Sequence, residues 1–159
     1  MNMTSTQPAD PRDPRATAFL QASHSLMASL SPAEANHYLS VNALCAPHIG
    51  FFVAQQQDEY LGCIALAQFD GYCEIKSMFV DPAARGKAVG AQLLDRVEVE
   101  AGVIGVSQLN LETGDTLYAA HRLYARQGFA ICGPVGNDVD ARHSVFMQKP
   151  GSYTHPRPH

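Results

Sequence analysis

The 159-residue chain reads as an α+β domain in which helices flank a mixed, mostly antiparallel sheet. Three observations predict this. Strand-like segments follow one another between residues 50 and 80, joined by turns short enough for hairpins. Helix-like and strand-like segments then alternate toward the C-terminus. A hydrophobic content of 46% suits a single soluble domain with a sizeable core.

The N-terminal residues 1–14 carry Pro8, Pro11 and Pro14 among polar residues and are expected to be a disordered tail, as are residues 151–159. The domain is expected over 15–150. From Ala16 to Leu30, Phe19, Leu20, Leu26, Met27 and Leu30 recur at helical spacing. Ser31-Pro32-Ala33-Glu34 has the form of a capping box with Pro at the first helical position, so a second helix is expected to run to about Leu44, closed by Pro47. Gly50–Gln55 and Tyr60–Phe69 read as strands joined by the polar turn Gln56-Gln57-Asp58-Glu59, and Asp70-Gly71 turns into a third strand, Tyr72–Val80. Gly90–Gly102 is an amphipathic helix with Leu93, Leu94, Val97 and Ala101 on one face. Val106–Glu112 alternates as a strand, and Asp115–Gln127 is a helix ended by Gly128 as a left-handed cap. Phe129–Cys132 and Ser144–Gln148 read as closing strands. The predicted order is ααβββαβαββ.

Eleven Lys and Arg against 15 Asp and Glu give a net charge of −4, which argues against nucleic acid or an anionic membrane as partner. No run of apolar residues is long enough to span a bilayer. The polar N-terminus lacks the apolar core of a secretory signal, so a cytoplasmic location is expected. Cys45, Cys63, Cys73 and Cys132 sit in apolar stretches without CxxC spacing and read as reduced, buried thiols. No metal site is expected from the scattered histidines.

The segment 79–94, FVDPAARGKAVGAQLL, places a turn with Arg85, Gly86 and Lys87 between a strand and a helix start. Helix N-termini offer unsatisfied N–H donors backed by the helix dipole, an arrangement that binds phosphates. Gly86 and Gly90 would let the backbone approach a ligand. The segment is not a Walker loop, since Asp81 stands where the first Gly belongs and Ala88 where Ser or Thr is needed. It also lacks the GxGxxG of a dinucleotide site.

EIKSMFVDPAARGKAVGAQLL resembles the acyl-CoA signature of the GCN5-related N-acetyltransferase (GNAT) superfamily, Gln/Arg-x-x-Gly-x-Gly/Ala, with Arg85 first, Gly90 last and Ala88 in place of the middle Gly. LNLETG and AHRLYARQGF resemble that family's fifth strand and fourth helix, and GPVGNDVDARHSVFMQKP is similar to a bacterial branch of small-molecule acetyltransferases. The resemblance covers about residues 16–149. It implies a sheet whose fourth and fifth strands splay apart to hold acetyl-CoA, with no metal. Backbone groups of Met78, Phe79 and Val80 would bind the pantetheine arm. The N–H groups of Arg85, Gly86, Lys87, Ala88, Val89 and Gly90 would hold the pyrophosphate. An Ala at 88 is compatible with this if its φ is negative.

Tyr124 would protonate the departing thiolate. Glu74 is a candidate base, because a carboxylate in an apolar strand needs a cleft or a partner. The alternative for Glu74 is a pair with Lys76, and which face it takes depends on strand register. Glu112 at the end of the fifth strand is a second candidate base. His24, Glu34, Asn36 and His37 are candidate acceptor contacts. The Asn that the family often places before its fourth helix is replaced by Leu117. The resulting expectation is direct acetyl transfer to the amine of a small molecule. A protein or peptide acceptor, or a CoA-binding sensor without turnover, are the alternatives. Homodimers are common in the superfamily, but no seam is readable in this chain.

Overall fold

The computed structural model describes residues 3–30, 40–106, 108–114, 117–132 and 144–150. Strand β1 (Ser5–Pro8) precedes helix α1 (Pro14–Leu30) and the short helix α2 (Val41–Leu44). Strands β2 (Ile49–Gln56), β3 (Glu59–Phe69) and β4 (Tyr72–Val80) follow, then a 3₁₀ turn (Pro82–Ala84) and helix α3 (Val89–Ile104). Strand β5 (Gln108–Gly114), helix α4 (Tyr118–Arg126) and strands β6 (Ala130–Cys132) and β7 (Ser144–Pro150) complete the order. The sheet runs β1-β2-β3-β4-β5-β7-β6. Every neighbouring pair is antiparallel except β4–β5, which is parallel.

Apolar side chains fill both faces of the sheet. On one face α3 and α4 pack Leu93, Leu94, Val97 and Tyr124 against Phe52, Ile64, Leu66 and Ile75. On the other, Ala16 and Leu20 of α1 and Leu44 of α2 pack against Phe51, Val53, Tyr60, Cys63 and Ala65. Toward the end of α1, Leu26 is 42% exposed.

The N-terminus departs from the expected tail. Ser5–Pro8 pairs antiparallel with Phe52–Gln55, and α1 begins at Pro14. An edge strand shows its side chains to water, so its polarity carries no signal, and Pro8 is tolerated at an edge. Arg96 of α3 ties the strand down by donating to the Thr6 carbonyl at 2.9 Å, with its guanidinium over the Phe52 ring.

The expected helix through Leu44 is also interrupted. Ser40 is extended (φ −68°, ψ 165°) and its hydroxyl accepts from Ala43 N, so a new helix starts at Val41. The Ser31–Glu34 box lies outside the described residues. Helix α3 runs past Gly102 to Ile104 and stops at Gly105, whose φ is +88°. Helix α4 ends as expected: Gly128 has φ +96°, its N–H reaches Ala125 O, and Phe129 N–H reaches Tyr124 O, both at 3.0 Å. That double closure fixes the turn of helix carrying Tyr124.

Candidate active site

The site begins with an irregular strand. β4 pairs with β3 from Tyr72↔Phe69 to Val80↔Gly62. With β5 it pairs only at Cys73↔Leu109, Glu74↔Asn110 and Ile75↔Leu111. Beyond Ile75 the two strands part, leaving the β5-facing edge of β4 open.

A bulge lies at the same place. Ala65 pairs with Lys76 and Cys63 with Phe79, so Ser77 and Met78 together face Ile64. Ser77 takes φ +54°, the left-handed conformation. The bulge shifts the alternation by one: Cys73, Ile75, Met78 and Val80 pack on the α3 face and Phe79 on the α1 face. Glu74 and Lys76 alternate with Cys73 and Ile75, which puts them on the α1 face.

The turn after β4 is built from local bonds. Asp81 N–H donates to Leu61 O at 2.9 Å, and the Asp81 carboxylate caps Ala83 N–H at 3.0 Å. Arg85 N–H and Lys87 N–H donate to Pro82 O and Ala84 O, both at 3.3 Å, so two of the six expected phosphate donors already serve the turn. Gly86 has φ +85°. The first bond into helix α3 is Gln92 N–H to Ala88 O at 3.1 Å, which leaves the N–H groups of Val89, Gly90 and Ala91 without an intrahelical acceptor. No acidic residue occupies the first turn to oppose an anion. The side chains of Arg85 and Lys87 are exposed beside it.

Two expectations are corrected here. Ala88 has φ +60° and ψ 25°, not a negative φ. A Cβ in that conformation costs about 1–2 kcal/mol, which explains why the signature favours Gly there. Gly90 is not open space for a ligand. A Cβ on it would lie 2.7 Å from Leu123 Cδ2 and 3.3 Å from Met78 Cε, so its smallness lets α3 approach α4 and β4.

Tyr124 belongs to the same contact. It is buried, and its hydroxyl donates to Met78 Sδ at 3.5 Å while its ring meets Phe129 edge-on. Helix packing thus brings Tyr124 to the strand segment where β4 leaves β5.

On the α1 face, near the parting point, lies a row of polar groups. Glu74 is 8% exposed, and its Oε1 is 2.5 Å from Lys76 Nζ, so the pair considered as an alternative is present. Asn110, the register partner of Glu74, is 1% exposed. Its Oδ1 accepts from Gln108 Nε2 at 2.8 Å, and that same nitrogen donates to Gln148 Oε1 on β7 at 3.0 Å. Glu112 follows Asn110 by two residues, half-buried on the same strand face.

Three buried side-chain polar atoms among the described residues have no hydrogen-bond partner: Ser77 Oγ, Gln92 Oε1 and Asn110 Nδ2. An orphaned buried group costs about 1–3 kcal/mol, so each needs a reason. All three lie on the elements bordering the opening: the bulge of β4, the first turn of α3, and the last paired stretch of β5.

Sequence reasoning missed these three. The signal for Ser77 was present, since Lys76-Ser77 puts two polar residues in succession inside an alternating strand. Asn110 stands between Leu109 and Leu111, which marked it as facing away from the α3 core.

Of the acceptor candidates, His24 is exposed on α1. Glu34, Asn36 and His37 lie outside the described residues. Burial pushes the Cys63 thiol up to about 12, and its S–H donates to Ser77 O at 3.4 Å. Burial also raises Cys73 and Cys132, whereas Cys45 is exposed. Among the described residues no group of three His, Cys, Asp or Glu could hold a metal, and no helix is long and apolar enough to cross a membrane. An open depression of about 440 Å³ between Pro8–Arg12 and Leu44–Phe51 contains none of the candidate residues.

Residues 47–131 match the family model of the acetyltransferase (GNAT) domain. The chain is 46% identical over 128 residues to the IAA acetyltransferase of Azospirillum brasilense, covering 78% of this chain and 82% of that protein. A Klebsiella pneumoniae structure assigned as an acyl-CoA N-acyltransferase is 27% identical and superposes with a TM-score of 0.79 over 94% of this chain and 98% of its own. An aminoglycoside 6'-N-acetyltransferase complexed with coenzyme A shares the fold at 20% identity, with a TM-score of 0.70 over 98% of this chain and 99% of its own. The chain therefore belongs to the GNAT family of acetyltransferases.

Proposed function

We propose that the protein transfers an acetyl group from acetyl-CoA directly to the amine of a small molecule. The observation that carries this reading is the three-pair limit of the β4–β5 ladder, with a helix N-terminus and a buried tyrosine hydroxyl brought to the opening. The free edge at Met78, Phe79 and Val80 suits the amide-bearing pantetheine arm. The N–H groups of Gly86, Ala88, Val89 and Gly90, with the charges of Arg85 and Lys87, suit the pyrophosphate. Because the N–H groups of Arg85 and Lys87 already donate within the turn, this reading gives the two residues a role through side-chain charge.

The reaction joins an amine nitrogen to the thioester carbonyl carbon and releases a thiol. In this reading Tyr124 gives the proton to the leaving sulfur. Glu74 or Glu112, on the α1 face, takes the proton from the amine, with Lys76 holding the Glu74 carboxylate in place. The Cys63 thiol, with its proton held by burial up to about 12, is unsuited to act as a nucleophile. This supports direct transfer over an acyl-enzyme at Cys63. The coenzyme A complex of the aminoglycoside acetyltransferase supports the donor assignment by fold.

The test is a thermal-shift titration of the full chain with acetyl-CoA and, as control, adenosine diphosphate. At about 100 times the dissociation constant, ligand adds roughly 2.7 kcal/mol to stability. A rise in Tm with acetyl-CoA that the control does not match supports the donor assignment. No rise at millimolar acetyl-CoA contradicts it.

A further inference from the structure

We infer that the Asn110 amide is a specificity-determining group that binds an oxygen of the acceptor, and that the acceptor is an amine bearing a carboxylate, such as an α-amino acid. The inference rests on the proposed function and deepens it.

The argument starts from the orientation of Asn110. Gln108 Nε2 holds its Oδ1 at 2.8 Å and is itself held by Gln148 Oε1 at 3.0 Å. This chain of amides across β5 and β7 turns Nδ2 away from Gln108. Nδ2 is buried, and among the described residues it has no partner. A donor so placed requires an acceptor atom. Glu74, its neighbour across the ladder, is engaged by Lys76. An oxygen brought by a bound molecule would fill the gap.

The neighbours select which oxygen. Lys76, two residues beyond Glu74 on the same face, is already paired with it, so an acceptor carboxylate would share that ammonium with Glu74. Glu112 on that face adds a further negative charge and favours a positive one. A zwitterion answers both, with its carboxylate at Asn110 and Lys76 and its nitrogen at the glutamates. A bare carboxylic acid would meet two glutamates, and a simple amine would leave Asn110 orphaned. A missing polar partner of this kind is the strongest discriminator a binding site has.

The test measures thiol release from acetyl-CoA with the twenty standard amino acids. Decarboxylated counterparts run in parallel: L-phenylalanine with 2-phenylethylamine, L-tryptophan with tryptamine, L-histidine with histamine. The inference expects transfer to at least one amino acid. It expects kcat/KM for the decarboxylated partner to be lower by at least about tenfold. Asn110→Asp, nearly isosteric but with an acceptor in place of the donor, should erase that preference through KM for the amino acid. KM for acetyl-CoA and the acetyl-CoA-induced rise in Tm should be unchanged. Asn110→Ala, which adds no charge, must also lose the preference while keeping the rise in Tm, so misfolding cannot imitate the result. Equal kcat/KM within the pairs, a preference retained in both variants, or no transfer to any amino acid would overturn the inference. Transfer to the simple amines alone would leave the proposed function standing, whereas no response to acetyl-CoA would remove both.

Discussion

The two edges of β4 make opposite use of the same backbone. Toward β3 the strand is paired from Tyr72 to Val80 except at the bulge of Ser77 and Met78, and the chains come so close at Gly62 that a Cβ there would lie 2.8 Å from Phe79 O. Toward β5 the pairing stops after three residues. Residues 76–80 are only partly buried, so their open-edge groups can be met by water or, in the proposed reading, by the amides of a bound cofactor. The side chains divide by face instead: Cys73, Ile75, Met78 and Val80 pack on the α3 face, and the orphaned atoms of Ser77, Gln92 and Asn110 lie on the elements around the opening. The bulge at Ser77 links the two, because one extra residue on β4 shifts the β3 register by one and turns Met78 toward Tyr124.

Substitutions on either side should separate the roles. On the open side, Tyr124→Phe removes the hydroxyl and keeps the ring against Phe129. Its kcat should fall about 100-fold or more, with acetyl-CoA affinity nearly intact, as measured by steady-state kinetics and titration. On the closed side, Gly62→Ala forces a methyl group against the Phe79 carbonyl and the side chains of Val89 and Leu93. It should cost about 1–3 kcal/mol in urea unfolding. Between the two, Ala88→Gly relieves the left-handed strain at φ +60°. It should raise stability by about 0.5–1 kcal/mol, the relief being partly offset by the freer unfolded chain.

A pH-dependent effect concerns Cys63, beside the bulge. Its thiol has an ordinary value of 9.0 and is raised to about 12 in the fold by burial. Above pH 9 the unfolded chain loses this proton first, so stability that is complete below pH 9 declines as pH rises toward 12. Unfolding midpoints at pH 8 and pH 10 should differ less in Cys63→Ala than in the parent chain.

Much of this was legible from residue order. The turn at 81–90, the strand before it and the helix carrying Tyr124 were each marked by local chemistry: Pro and Gly punctuation, apolar periodicity, and Gly128 as a cap. The N-terminal strand was not, because an edge strand of Ser, Thr, Gln and Pro has the composition of a tail. Nor was the stop at Ser40, where a serine caps a helix inside a segment that looks helical throughout. Within the site, side-chain types were readable but their uses were not. Gly90 resembled a ligand approach and is a helix contact. Ala88 was expected at negative φ and is left-handed. The Asn110 amide becomes conspicuous only when burial and its hydrogen bonds are known.

The central claim is that the unpaired edge of β4 is where acetyl-CoA binds. Amide hydrogen exchange, resolved along residues 72–80 with and without acetyl-CoA, tests it most directly. The account predicts that exchange at Lys76–Val80 slows on addition of acetyl-CoA, together with Val89–Ala91, while Cys73–Ile75 changes little. Unaltered exchange at Lys76–Val80 in the presence of saturating acetyl-CoA would contradict it.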